Sequence, residues 1–302
     1  MPQGAIRKAV ILAAGLGTRV LPATKAVPKP LLPVADKPTI QYVVEEAAAS
    51  GIEQVIIVTS RATAAIEEHF RPSPELEAVL ERKGDLKALQ AVRHISEIAE
   101  IHFVRQEEPL GLGHAVLMAK DAVGNEPFAV LLADDLVDHP QRPCLRQLLD
   151  VYDRHGGGVL AVMRVPREEV SRYGVVALDP ADEASQEPRT HRVRGLVEKP
   201  PVDRAPSNLT VVGRYVLPVD IFAALEATPP SGRGEIELTD GIQCVSEREP
   251  VYAYEFEGIR YDIGNPAGLL TTSLAFALER PDLAPDVTAF LRTLRLGEDP
   301  SA

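Results

Sequence analysis

Residues 8–29 read K-A-V-I-L-A-A-G-L-G-T-R-V-L-P-A-T-K-A-V-P-K. The apolar run 9–13 has the length and branching of a fully buried strand, and Gly15 and Gly17 just after it leave the backbone free to turn sharply beside a ligand. Such a turn exposes backbone N–H groups. Joined by Arg19, Lys25 and Lys29, those donors form a compact anion trap, for which a polyphosphate is the natural occupant.

The chain continues in alternation. A helix is expected from Thr39, with Ile40, Val43, Val44, Ala47 and Ala48 at helical spacing, and 55–58 is a buried strand. Strand, helix, strand predicts a Rossmann-like α/β fold: a mixed, mostly parallel sheet with helices on both faces. Residues 61–70 and 235–245 read as helical, and 74–98 as a lid or an inserted helical pair. The apolar strand 128–133 ends in Asp134-Asp135, on the same rim as the Gly15 loop, because ligands of open α/β sheets sit beyond the carboxyl ends of the strands. Around 166–265 the character changes to short strands and a polar hairpin or loop, giving a smaller second portion of the molecule. The expected division is one domain over 1–284 (halves at about 1–165 and 166–265, then a helix over 266–284), followed by a helix or tail over 285–302.

The chain has 302 residues, 45% apolar and 25% charged, with a formal net charge of -12. That charge argues against general adhesion to nucleic acid or anionic membrane, and the first residues lack the apolar core of a signal peptide, so a cytoplasmic enzyme is expected. Cys144 and Cys244 form no C-x-x-C and read as buried thiols; the seven histidines show no zinc-binding spacing. Two common nucleotide fingerprints fail. A dinucleotide G-x-G-x-x-G would need glycine at Val20, and no Walker A loop is present.

What remains is G-L-G-T-R followed by L-P-A-T-K and P-K-P-L-L-P-V, a string that resembles the signature of the sugar-1-phosphate nucleotidylyltransferases. The resemblance continues, in order, through I-Q-Y-V-V-E-E-A, S-P-E-L-E-A-V-L-E, G-L-G-H-A-V, V-E-K-P, P-S-N-L-T-V-V-G-R-Y-V-L, G-E-I-E-L-T-D and F-E-G-I-R-Y-D-I-G. It covers nearly the whole chain, and the inserted segment 73–98 favours the uridylyl-transferring branch over the thymidylyl-transferring one.

The resemblance implies that glucose 1-phosphate attacks the α-phosphorus of UTP, releasing pyrophosphate and forming UDP-glucose. Two anions must meet, so cations and positioning carry the chemistry. By resemblance, Arg19 and Lys29 neutralise phosphate with Lys25 in support, and Ala14, Gly15, Gly17 and Thr18 belong to the nucleotide site. Asp134 and Asp262 would hold Mg²⁺, a hard cation satisfied by few carboxylates, while Asp135 is left as a supporting or solvated group. Gln106, with an amide that donates and accepts, and Gly111 would meet the base. Gly174, Glu198, Lys199, Asn208 and Gly213 would hold the sugar phosphate. A homodimer or homotetramer is implied, with the helices after Pro266 as contacts. The chain departs from the family pattern at Ala62-Thr63, Ala133 and Val20. Other sugar or base specificities, and a non-catalytic sugar-nucleotide-binding role, stay open at this point.

Overall fold

Alternation along strand β1 (Lys8–Ala13) sends Ala9, Ile11 and Ala13 to one face of a sheet and Val10 and Leu12 to the other. Both sets are buried, so the strand needs a cover on each side. The structure, a computed structural model, describes residues 4–60, 63–179 and 187–294. After β1 come the short β2 (Pro33–Val34) and β3 (Lys37–Pro38), then α1 (Thr39–Ala49), β4 (Gln54–Thr59), α2 (Thr63–Phe70), α3 (Pro74–Lys83), α4 (Leu86–Glu97) and β5 (Glu100–Arg105). The middle of the chain holds α5 (Leu112–Met118), α6 (Lys120–Val123), β6 (Phe128–Leu132), β7 (Asp135–Asp138), α7 (Cys144–His155) and β8 (Gly158–Arg164). It ends with β9 (Gly174–Leu178), β10 (Thr190–Glu198), β11 (Leu209–Leu217), α8 (Ile221–Ala227), α9 (Leu238–Ser246), β12 (Val251–Glu255), β13 (Ile259–Asp262), α10 (Pro266–Glu279) and α11 (Ala284–Thr293).

Nine strands form one sheet in the order β5-β4-β1-β6-β11-β8-β12-β10-β9. One face is covered by α1 and α7 through Ile40, Val43, Leu145 and Leu148; the other is covered by α5, α8 and α9 through Val116, Phe222 and Ile242. The mixed α/β architecture is as the sequence predicts. Parallel pairing is concentrated on one side: β5, β4, β1 and β6 are mutually parallel and β12 is parallel to β8, whereas β11 is antiparallel to β6 and β8, and β10 to β12 and β9. Strands consecutive in the chain, such as β9 and β10, can pair without a helical crossover only by running antiparallel.

The polar segment 74–98 is a helical pair. Gly84 ends α3 at φ 69°, and the Asp85 side chain caps α4 by accepting from the Ala88 N–H. The helix expected over 235–245 begins only at Leu238. Residues 235–237 stay extended because the Ile236 N–H donates to the Leu110 carbonyl and the Ile236 carbonyl accepts from Gly113. The expected strand 128–133 stops at Leu132, and Asp135 opens β7, which pairs with β13 in a separate two-stranded sheet that sequence periodicity does not announce. Ala62 lies outside the described residues, as do 295–302 of the expected C-terminal tail. Val20 and Ala133 are buried, while Cys144 is a buried free thiol and Cys244 is half-buried. Among the described residues no helix is long and apolar enough to cross a membrane.

Candidate active site

Strands β1 and β6 lie side by side in parallel, with Leu12 opposite Leu132, so the Gly15 loop and Asp134 leave the sheet from adjacent carboxyl ends. In front of them is a cleft of about 890 Å³. At the end nearest the Gly15 loop it is lined by Ala14, Gly15, Gly17, Thr18, Arg19 and Lys29, and by Asp134 and Asp262. Gln106 and Gly111 line it as well, as do Gly174, Glu198, Lys199 and Gly213.

Two expected residues fall elsewhere. Lys25 ends the short helical turn Ala23–Lys25 and lines a neighbouring cavity of about 160 Å³, which shares Gly15 and Lys29 with the cleft. Asn208 lines neither cavity; its amide is committed to the Arg164 guanidinium and the Val165 carbonyl, each at 3.4 Å, and so joins the start of β11 to the end of β8.

The loop is shaped by local constraints. Gly17 stands at φ 66°, and a Cβ there would lie 2.9 Å from the Thr24 methyl, whose hydroxyl donates to the Gly17 carbonyl at 2.8 Å. Lys29 Nζ donates to Asp134 Oδ2 at 2.5 Å. A Cβ built on Gly264 would stand 2.7 Å from Asp262 Oδ1, 3.1 Å from Arg19 Nη2 and 3.4 Å from Lys29 Nζ, so both cations and the Asp262 carboxylate meet around that glycine, and Asp134 joins them through its bond to Lys29. Burial works to raise the Asp134 carboxyl, but Lys29 and then Arg19 hold it below the usual carboxylate range. The two hard carboxylate oxygens of Asp134 and Asp262 are donors of the kind that Mg²⁺ takes.

Asp135 is no solvated bystander. It is buried, its Oδ1 accepts from Arg260 Nη2 at 2.5 Å, and its Oδ2 accepts from the Gly213 N–H at 3.1 Å. Burial raises its carboxyl, Arg260 counters this, and neighbouring Asp134 adds to the rise. Gly213 is needed for close approach, since a Cβ would sit 2.7 Å from Leu132 Cβ and 2.8 Å from Asp135 Oδ2. Beneath them the Arg214 side chain, 0% exposed, donates to the Glu46 carboxylate from α1 and to the carbonyls of Leu132, Gly213 and Asp135.

Gln106 is 6% exposed, and its Nε2 donates to the Gly111 carbonyl at 3.2 Å and to His114 Nδ1 at 2.9 Å. The donor half of the amide is thus committed inside the protein, and a ligand is offered the acceptor Oε1. The expectation of an amide that both donates and accepts is narrowed accordingly.

Toward β9, β10 and α9 the cleft is lined by paired charges. Glu198, at the end of β10, accepts from Lys199 Nζ at 2.6 Å and from the Thr239 hydroxyl at 2.9 Å, and Arg233 Nη2 stands 3.6 Å away while bound to Glu237 at 2.7 Å. Thr239, Glu237, Tyr173 and Arg260 line the cleft without having been singled out in the sequence. Thr239 and Arg260 lie within G-E-I-E-L-T-D and F-E-G-I-R-Y-D-I-G, which carry the family resemblance. The signal was present, but single positions within those strings had no chemistry attached to them.

The nucleotidyl transferase family model matches residues 8–278. A UTP–glucose-1-phosphate uridylyltransferase of Bacillus subtilis is 50% identical over 289 residues, 96% of this chain and 97% of the relative. Among solved structures, a UTP-bound UGPase from Acinetobacter baumannii superposes with a TM-score of 0.86 at 42% identity, covering 96% of this chain and all of the other. A UDP-glucose pyrophosphorylase complexed with UDP-glucose superposes at 0.82 with 40% identity, over 91% of this chain and all of the other. With the Gly15 loop, Asp134 and Glu198-Lys199 on one cleft, and with these similarities spanning the chain, the protein belongs to the nucleotidyl transferase family and, within it, to the group of the bacterial UTP–glucose-1-phosphate uridylyltransferases.

Proposed function

We propose that the protein transfers a uridylyl group from UTP to glucose 1-phosphate, giving UDP-glucose and pyrophosphate. The observation that carries this reading is that a single cleft holds both the Lys29–Asp134 cluster, suited to a triphosphate, and the Glu198–Lys199 pair, suited to a sugar phosphate. An oxygen of the sugar phosphate attacks the α-phosphorus in line, and the bond to pyrophosphate breaks. Arg19 and Lys29 neutralise the charge that builds on the leaving group, as a fork and a point charge respectively. Asp134 and Asp262 would hold a Mg²⁺ ion, which when bound would supply further neutralisation of the phosphates. Gln106 Oε1 accepts from the imide N–H of uracil, and Gly111 lets the flat ring approach the backbone. Glu198, oriented by Thr239, accepts sugar hydroxyls, and Lys199 turns from Glu198 to the sugar phosphate.

Lys25 acts at one remove, through the neighbouring cavity, and Asn208 acts only by fixing β11 to β8. The part over 1–165 serves the nucleotide and 166–265 the sugar, with 266–284 outside both. We take the protein to be a cytoplasmic homodimer or homotetramer without nucleic-acid or membrane partners, in keeping with its net charge of -12. Thymine has the same imide N–H, so Gln106 alone does not separate UTP from dTTP.

Pyrophosphate release measured over a grid of nucleotides and sugar 1-phosphates, with and without Mg²⁺, tests the reading. UTP with glucose 1-phosphate and Mg²⁺ is expected to lead the grid. A lead for dTTP, or for another sugar phosphate, would move the protein to a different specificity, and sugar-nucleotide binding without any turnover would make it a non-catalytic relative.

A further inference from the structure

Arg260 has a place in the cleft to which the sequence alone attaches no chemistry. In the β7–β13 ladder Asp262 stands directly opposite Asp135, and Arg260, two residues before Asp262, shares their face. Its side chain is only 14% exposed yet lines the cleft. Nη2 donates to Asp135 Oδ1 at 2.5 Å, while Nη1 stands 3.5 Å from the Tyr173 hydroxyl and the guanidinium carbon lies 5.5 Å from that ring's centroid. Nε is buried and has no hydrogen-bond partner among the described residues. The contacts in this state therefore leave the buried Nε–H without a partner, which is a poor end state for a buried cation.

The two neighbours of Arg260 locate it. Asp135 follows Asp134, at the phosphate end, and Tyr173 precedes Gly174, which lies beside Glu198: a Cβ on Gly174 would be 3.3 Å from Glu198 Oε2. A sugar 1-phosphate whose hydroxyls reach Glu198 and whose phosphate reaches the Lys29–Asp134 cluster must lay that phosphate across the interval between them, the interval Arg260 spans. Asp135, for its part, also accepts from the Gly213 N–H, so it is not left bare if the arginine shifts part of its bonding.

Building on the proposed reaction, we propose that Arg260 is a substrate-binding residue for the phosphate of the sugar 1-phosphate, a second cation beside Lys199. The ion pair with Asp135 is its resting arrangement. When the sugar phosphate enters, the fork of the guanidinium takes phosphate oxygens and fixes which of them faces the α-phosphorus, a geometric task that a lysine point charge performs less well.

The test is steady-state kinetics of Arg260→Gln and Arg260→Lys beside the wild type, with each substrate varied in turn and melting temperatures recorded. Loss of a charge-assisted hydrogen bond is expected to raise the KM for glucose 1-phosphate roughly tenfold to a hundredfold in Arg260→Gln, with the KM for UTP within about twofold of the wild type. Arg260→Lys, which keeps the charge on Asp135, is expected to recover part of the KM loss. Equal changes in both KM values, or a lowered melting temperature with the KM for glucose 1-phosphate unmoved, would overturn the proposal by making Arg260 only a prop for Asp135. Should Arg260→Gln fail to fold, Arg260→Lys decides alone: an unshifted KM for glucose 1-phosphate overturns the proposal, and a selective rise supports it. Wild-type protein inactive with UTP and glucose 1-phosphate would instead sink the reaction itself.

Discussion

The two ends of the cleft are built by different means. At the phosphate end, parallel strands β1 and β6 deliver their loops side by side, so one short stretch of chain supplies Gly15, Gly17, Arg19 and Lys29 together. At the sugar end the groups come from β10, α9, β13 and the loop before β9, and each owes its position to a partner distant in sequence. Thr239 orients Glu198 across 41 residues, and Asp135 meets Arg260 across 125. A parallel sheet concentrates a site in contiguous sequence, whereas antiparallel packing disperses it.

The largest expected effect probes what joins the ends. Glu46 belongs to α1 on the phosphate side and Arg214 to β11, and their buried pair also gathers three carbonyls. Arg214→Leu leaves the Glu46 carboxylate buried without its partner and should cost about 3–5 kcal/mol in urea unfolding. A loss under about 1 kcal/mol would mean that the two ends are held together by apolar packing instead.

A smaller effect is expected from Thr239→Val, which keeps the shape of the side chain and deletes the hydroxyl that donates to Glu198. Loss of one such bond, about 1 kcal/mol, should raise the KM for glucose 1-phosphate roughly fivefold and leave the KM for UTP in place. A change in both would show that α9 also supports the phosphate end.

How far the sequence could be read follows the same division. The strand at 9–13, the glycine loop, its cations and Asp134 were legible because strand, turn and charges are consecutive. Arg214, inside V-V-G-R-Y-V-L, gives no sign of being fully buried, since its counter-charge lies 168 residues away in α1. The β7–β13 ladder is hidden for a related reason: each strand has four residues and carries charged positions, too short and too polar for a period to register. Asn208 and Lys25 differ from these. Family resemblance points to both, and the structure places Asn208 against Arg164 and Val165 and Lys25 on the adjoining cavity, positions that the sequence alone does not give.

The smallest effect is expected there. Lys25→Met removes a cation that lines only the side cavity, and turnover should fall by less than about a tenth of the factor seen on losing Lys29. Equal losses would return Lys25 to the reacting phosphates.

The central claim is a division of labour along one cleft, and its most direct test is the kinetics of Lys29→Met and Glu198→Gln compared over a full grid of UTP and glucose 1-phosphate concentrations. Lys29→Met is expected to lower kcat roughly a hundredfold to a thousandfold with the KM for glucose 1-phosphate nearly unchanged. Glu198→Gln is expected to raise the KM for glucose 1-phosphate while the KM for UTP holds. If each substitution instead shifted both KM values in the same proportion, the two ends would not be separate half-sites, and the account given for the cleft would be wrong.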